Sequence, residues 1–197
     1  MSKTNESKQM EDRLSAMFNA LKSARREILP SKLWIELNQK NVEQLKTFGY
    51  DNFKRTVALN YFTWVPGLRD VQNKFLIRNL PKAAIIKNFI RSLLSRKHEY
   101  FSWRRSIYYN FITYNLWEYV SRQGNQDIMN NLEEPLEGNP PRVYLRDKLI
   151  SQDLANSVLE FKSIVNAIDG KHIKTIMELG AGYGRTAQVF FAPNAQC

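Results

Sequence analysis

The sequence predicts a mainly α N-terminal domain followed by the start of an α/β core, with one strand and one helix. Three observations lead to this prediction. Apolar residues recur at helical spacing up to about Gly124, a proline-rich stretch then interrupts the pattern, and an apolar run later leads straight into closely spaced glycines. We therefore divide the chain into a disordered tail (1–10), a helical domain (11–129), a connector (130–150) and the incomplete start of the second domain (151–197).

The helical domain is predicted to begin with a helix from Glu11 that ends at Pro30. Ser31 can cap a second helix, and Gly49 is placed to end it. A third helix is expected to start at Asp51 or Asn52, and its apolar positions are Phe53, Val57 and Tyr61.

The Pro-Gly pair in 65–70 predicts a turn, and two further helices follow on either side of Pro81. A long aromatic helix, 102–122, is expected to stop near Gly124. Its aromatic residues at helical spacing favour a packed core, but aromatic side chains beside Arg104 and Arg105 could also stack on bases or sugars.

The connector carries three prolines between 130 and 143, which marks it as the best candidate for a domain boundary. A short hairpin is predicted at 143–151, turning at Arg146-Asp147. The stretch 151–168 has a strong helical pattern, and 172–179 ("HIKTIMEL") is predicted to be a buried strand.

Composition and charge narrow the class of protein. The chain has 197 residues, of which 43% are apolar, enough for a packed core. No apolar run is long enough to span a membrane, no signal peptide is visible, and the single cysteine is Cys197, so we expect a soluble, cytoplasmic protein. The net charge of +10 is concentrated in the part of the chain up to Tyr119. Solvated helix faces explain this surplus as well as an anionic partner does.

The glycine-rich stretch is "MELGAGYGR", in which Gly180, Gly182 and Gly184 follow Glu178. Glycine at such a turn allows positive φ and close approach of the backbone to a ligand. A dinucleotide site would require a further glycine at 185, where this chain has Arg185. The pattern E-x-G-x-G-x-G instead resembles the first motif of Rossmann-like methyltransferases that use S-adenosylmethionine.

Other segments in the right order extend this resemblance. Residues 33–64 ("LWIELNQKNVEQLKTFGYDNFKRTVALNYFTW"), 131–161 ("NLEEPLEGNPPRVYLRDKLISQDLANSVLEF") and 177–185 resemble the bacterial sugar O-methyltransferase family. The resemblance implies transfer of a methyl group to a sugar, nucleotide-sugar or glycan hydroxyl in surface polysaccharide biosynthesis. It also implies that the cofactor-binding residues are Glu178, Gly180, Ala181, Gly182 and Gly184, with the carboxylate near the amino group of the cofactor.

The sequence departs from this family after the glycine-rich stretch. The acidic residue that would hold the cofactor ribose is expected about 20 residues past the glycines, and it is absent, as are a catalytic base and an acceptor pocket. We therefore expect a truncated chain that is inactive alone. The alternative is a basic helical module that binds nucleic acid or protein, with a vestigial cofactor loop.

Three further groups of polar residues are candidates for a site. His98 and His172 have no partners at metal-binding spacing, so no metal site is predicted. Asp153 and Glu160 on the last full helix could reach the cofactor side, although helix capping and a solvated face are the favoured explanation. Gln152 and Asn156 could lie at the rim of the pocket.

Overall fold

The structure of the protein, a computed structural model, describes residues 3–25, 27, 29–58, 71–95, 102–168, 175–178, 180 and 182–192. Most of these residues are helical, so a mainly α class is confirmed. The elements in chain order are α1 (Lys3–Lys22), α2 (Lys32–Phe48), a 3-10 helix (Tyr50–Arg55), α3 (Val71–Asn79), α4 (Lys82–Leu94), α5 (Trp103–Val120), a π-helical turn (Ser121–Asn125), α6 (Gln126–Asn131), β1 (Val143–Leu145), β2 (Lys148–Ile150), α7 (Gln152–Ile168) and α8 (Arg185–Phe190).

The first helices differ from prediction mainly at their ends. Helix α1 begins at Lys3, so the predicted disordered tail is helical over 3–10. Gly49 ends α2 as predicted, with a φ of 81° and its N–H donating to the Leu45 carbonyl at 2.9 Å. The predicted third helix is a short 3-10 helix over Tyr50–Arg55, and Tyr61 lies outside the described residues, as does the predicted turn at 65–70.

Helix α5 is the centre of the fold. It packs against α3, α4, α7 and β1, which explains why its buried positions lie all around the helix. The predicted core role of the aromatic stretch is therefore confirmed for Tyr109, Tyr114 and Trp117, which are all buried, while Arg104 and Arg105 are exposed.

The predicted hairpin is present and turns where expected. Strands β1 and β2 are antiparallel, and Val143 pairs with Ile150. Arg146 and Asp147 both have positive φ, 51° and 65°, as a two-residue type I′ turn requires. The hairpin packs into the core, because Val143 and Ile150 are buried together with apolar residues of α5 and α7.

The predicted connector, 130–150, packs closely against the 3-10 helix. The Lys54 N–H donates to the Gly138 carbonyl at 2.9 Å, and Arg55 Nε donates to the Asn139 carbonyl at 2.8 Å. A single cluster of buried apolar residues includes Leu76 before the connector and Val189 after it. The domain boundary at the connector stays a prediction, and the segment itself is part of the packed structure.

The predicted strand at 172–179 is not formed where the structure describes it. Residues 175–178 are irregular, and the sheet in the described residues consists of β1 and β2 alone. A strand is defined by hydrogen bonds to a neighbouring strand, and residues 175–178 have no such neighbour within the described part of the chain. Residues 172–174 and 179 lie outside the described residues. Helix α8 follows as predicted and packs on α7.

In the part of the chain that the structure describes, no helix is long and apolar enough to cross a membrane.

Candidate functional site

The three loop glycines share an unusual backbone conformation. Gly180, Gly182 and Gly184 have φ values of 75°, 56° and 81°, a region that residues with a side chain rarely adopt. Apart from the glycine itself and its two chain neighbours, no atom of the described residues lies within 4 Å of the position that a Cβ would take at any of them. The requirement for glycine therefore comes from the backbone conformation and not from lack of space.

Gly184 joins the loop to α8. It is the residue before the first turn of the helix, and its carbonyl accepts a hydrogen bond from the Gln188 N–H at 2.9 Å. Gly180 and Gly182 are exposed to solvent. Ala181, the remaining predicted loop residue, lies outside the described residues.

Glu178 is exposed and lines a groove of about 830 Å³. The groove runs between α7, residues 175–178 and α8, and its walls are mostly apolar, with Glu160 and Glu178 as the carboxylates. None of the loop glycines lines it. Among the predicted cofactor-binding residues that the structure describes, Glu178 and the three glycines do not share one cavity.

A buried ionic cluster lies beside the loop. The carboxylate of Glu134, almost fully buried, accepts hydrogen bonds from the Arg185 guanidinium and from Ser151 Oγ at 2.6 Å. Lys54 Nζ lies 2.8 Å from the same carboxylate and donates to the Pro135 carbonyl at 2.7 Å. Burial lowers the pKa of Lys54, and the Glu134 carboxylate opposes that effect.

A second polar contact ties the loop to α7. The hydroxyl of Tyr183 donates to the carboxylate of Asp153 in the first turn of α7. Burial raises the pKa of Asp153 to about 6, and the Tyr183 hydrogen bond partly opposes the shift. Burial and the neighbouring Asp153 carboxylate also raise the pKa of Tyr183 well above its usual value.

The ring of Tyr183 contacts two cations, Arg185 and Lys54, and one aromatic ring. The Arg185 guanidinium lies 4.5 Å from its centre, and Phe53 of the 3-10 helix meets it edge-on at 5.5 Å. The loop is thus anchored at Tyr183 and Arg185, while Gly180 and Gly182 remain open to solvent.

Sequence reasoning missed Lys54, Glu134, Tyr183 and Arg185 as members of this site. Tyr183 and Arg185 flank Gly184, so the sequence places them at the loop. No sequence pattern, however, links them to Glu134 or Asp153, which lie far away in the chain. The two candidate carboxylates of α7 both contact residues next to the loop. Asp153 accepts a hydrogen bond from Tyr183, and Glu160 accepts one from the Thr186 hydroxyl at 3.2 Å. Of the two possible rim residues, Gln152 is buried and donates to the Thr113 hydroxyl at 3.4 Å, and Asn156 is half-buried.

The residues present fit a cationic cofactor in one respect. The carboxylate of Glu178 is exposed next to a turn whose backbone only glycine adopts easily, so it is accessible for pairing with an ammonium group. Among the described residues, no three His, Cys, Asp or Glu side chains come together as metal ligands, and His98 and His172 lie outside that part of the chain.

Comparison of the chain with protein-family models, with curated proteins and with solved structures yields no match.

Proposed function

We propose that this chain carries the first cofactor-binding motif of an S-adenosylmethionine-dependent O-methyltransferase whose acceptor is a sugar hydroxyl. The observation that supports it best is the loop itself. Glu178 is followed by three glycines at alternate positions, each with positive φ, and the last of them leads directly into α8. The sugar acceptor and the cytoplasmic location rest on the sequence resemblance.

The proposal includes the Rossmann-like start predicted from the sequence. In it, 172–179 is the first strand of a parallel sheet, and α7 and α8 cover one face of that strand. The close packing of α7 on α8, with the Phe161 and Phe190 rings edge-on at 4.9 Å, supports this arrangement.

Each predicted residue has a stated part in binding. The carboxylate of Glu178 pairs with the amino group of the cofactor. The backbone of the loop approaches the cofactor closely at Gly180, Ala181, Gly182 and Gly184. When bound, S-adenosylmethionine supplies the methyl group for transfer. Tyr183 and Arg185 hold the loop in place through Asp153 and Glu134. No catalytic base is assigned to this chain.

Equilibrium dialysis of the 197-residue chain with radiolabelled S-adenosylmethionine tests the proposal. We expect Gly180→Ala to weaken binding at least about tenfold, because the loop must leave its positive φ. Gly124→Ala is the matched control. Gly124 also has a positive φ, 78°, and open space where a Cβ would lie, but it is outside the loop. Both variants should lose a similar stability, about 1 kcal/mol, in urea unfolding.

Glu178→Gln tests the carboxylate separately, with the exposed Glu137→Gln as its control. We expect Glu178→Gln to weaken binding and the control to leave it unchanged. Absence of binding by the unmodified chain, or equal losses for the loop and control variants, would contradict the proposal and favour the basic binding module instead.

A further inference from the structure

Helix α4 turns its apolar face to solvent. Five large apolar side chains at helical spacing, between 48% and 82% exposed, form one stripe along it: Ile86, Phe89, Ile90, Leu93 and Leu94. The face packed against α5 is mostly polar or small, with Ala84, Asn88 and Ser92 buried. Phe89, at the edge of the stripe, meets the Phe111 ring of α5 edge-on at 6.0 Å. This orientation is the reverse of the usual one for a helix on the surface of a globular protein.

The inward polar face is held by specific hydrogen bonds. Asn88 Nδ2 donates to Asn115 Oδ1 of α5 at 3.0 Å, and the hydroxyls of Ser95 and Tyr114 lie 2.7 Å apart. Rotating α4 to bury its apolar stripe would break these bonds and leave buried polar groups without partners. The orientation of α4 is therefore determined by its contacts with α5, and the stripe is left outside.

The charge around the stripe indicates what can cover it. Between positions 71 and 95 the chain has five Lys or Arg residues and no Asp or Glu. On α4 itself, Lys82 and Lys87 are exposed beside the stripe. A second copy of the same face would bring these cations together, which is unfavourable. An anionic surface with an apolar interior would attract the lysines and bury the apolar stripe.

We propose that α4 docks on the surface of an anionic lipid bilayer. The helix lies in the plane of the interface, with its apolar stripe at the boundary of the acyl chains and Lys82 and Lys87 among the headgroups. At 13 residues, α4 is about 20 Å long and too short to span the bilayer. Docking of this kind does not depend on cofactor binding.

Co-sedimentation with vesicles tests the proposal. We expect the full chain to bind vesicles of about 70% phosphatidylcholine and 30% phosphatidylglycerol, and to bind pure phosphatidylcholine at least about tenfold less. Leu94→Glu should lower binding at least about fivefold, because Leu94 is the most exposed residue of the stripe. The control is Met17→Glu on α1, an exposed position outside the stripe where the same charge is added. It should lower vesicle binding less than about twofold.

A pair of charge variants separates the stripe from net charge. The double variant Lys82→Glu and Lys87→Glu on α4 should weaken vesicle binding more than the double variant Lys40→Glu and Lys46→Glu on α2. All four lysines are exposed, and both variants change the net charge equally. A fluorophore attached to L94C, with Cys197→Ser, should shift to the blue on anionic vesicles, and one attached to M17C should not. Equal losses in both pairs, no binding, or a dimer in sedimentation that Leu94→Glu dissociates would overturn the proposal.

Discussion

At the scale of single residues, Asp153 is the carboxyl whose environment raises its pKa to about 6. It lies in the first turn of α7, is mostly removed from solvent, and accepts a hydrogen bond from the hydroxyl of Tyr183. Burial disfavours its charged form, and the carboxylate of Glu134 adds to that effect. Its protonated form is therefore favoured by folding.

This shift has a defined effect on stability. Because the folded pKa of Asp153 is raised, the folded chain binds more protons than the unfolded chain between about pH 4 and 6. The unfolding free energy contributed by Asp153 is thus highest at about pH 4 and below, and it decreases as the pH rises through about 6. We expect this decrease to be on the order of 2 kcal/mol.

Asp153→Asn removes the titrating group and keeps a hydrogen-bond acceptor for Tyr183. In urea unfolding at about pH 4.5 and about pH 7.5, on either side of the raised pKa, we expect the variant to gain stability relative to the unmodified chain as the pH rises. Asp127→Asn, at an exposed position of α6, is the control for loss of one carboxylate. The same pH dependence in both variants would show that the shift at Asp153 is not the cause.

At the scale of elements, the Glu134 cluster joins parts of the chain that are far apart in sequence. Lys54 comes from the 3-10 helix, Ser151 precedes α7, and Arg185 begins α8. The Glu134 N–H donates to the Leu149 carbonyl of β2 at 2.8 Å, so the carboxylate is also fixed to the hairpin. One buried carboxylate thus positions the loop before α8 against the helical part of the molecule.

Removal of this carboxylate should greatly lower the free energy of unfolding. Glu134→Ala would leave Lys54 and Arg185 buried without a counter-charge, and we expect a loss of about 3–5 kcal/mol in unfolding free energy. Glu118→Ala removes the partly exposed pair between α5 and Arg122 of the π-helical turn, and it should lower the free energy of unfolding by about 0.5 kcal/mol or less. Losses of similar size for the two variants in urea unfolding would contradict the role assigned to the cluster.

At the scale of the whole molecule, one apolar core extends across the predicted domain boundary. It includes Leu76 of α3, Leu116 of α5, Ile150 of β2, Phe161 of α7 and Val189 of α8. Trp117 also links the two sides, since its indole N–H donates to the Ser151 carbonyl at 2.7 Å. Segments that share one core should unfold together.

We therefore expect one cooperative unfolding transition. Helix content by circular dichroism and tryptophan fluorescence should give the same urea midpoint for the intact chain. Val189→Ala opens a cavity in the core near its C-terminal end and should lower both urea midpoints by the same amount. The expected loss in unfolding free energy is about 1–3 kcal/mol. Two separate transitions, or a shift seen by only one probe, would indicate independent units.

The sequence by itself determined the local features of this protein. Helical spacing of apolar residues predicts α2, α3, α4, α5 and α7, Gly49 marks the end of α2, and Arg146 and Asp147 mark the turn of the hairpin. Glycine at the turn before α8 allows positive φ, and all three loop glycines have it. Each of these features depends on residues close together in the chain, so pattern and backbone preference were sufficient to predict them.

Only the tertiary structure decided the features that depend on distant contacts. The pairing of Lys54 and Arg185 with Glu134 joins positions that no periodicity relates, and the outward apolar face of α4 follows from its hydrogen bonds to α5. The strand expected at 172–179 is irregular over 175–178, because apolar sequence favours a strand but hydrogen bonds to a neighbouring strand are needed to form one.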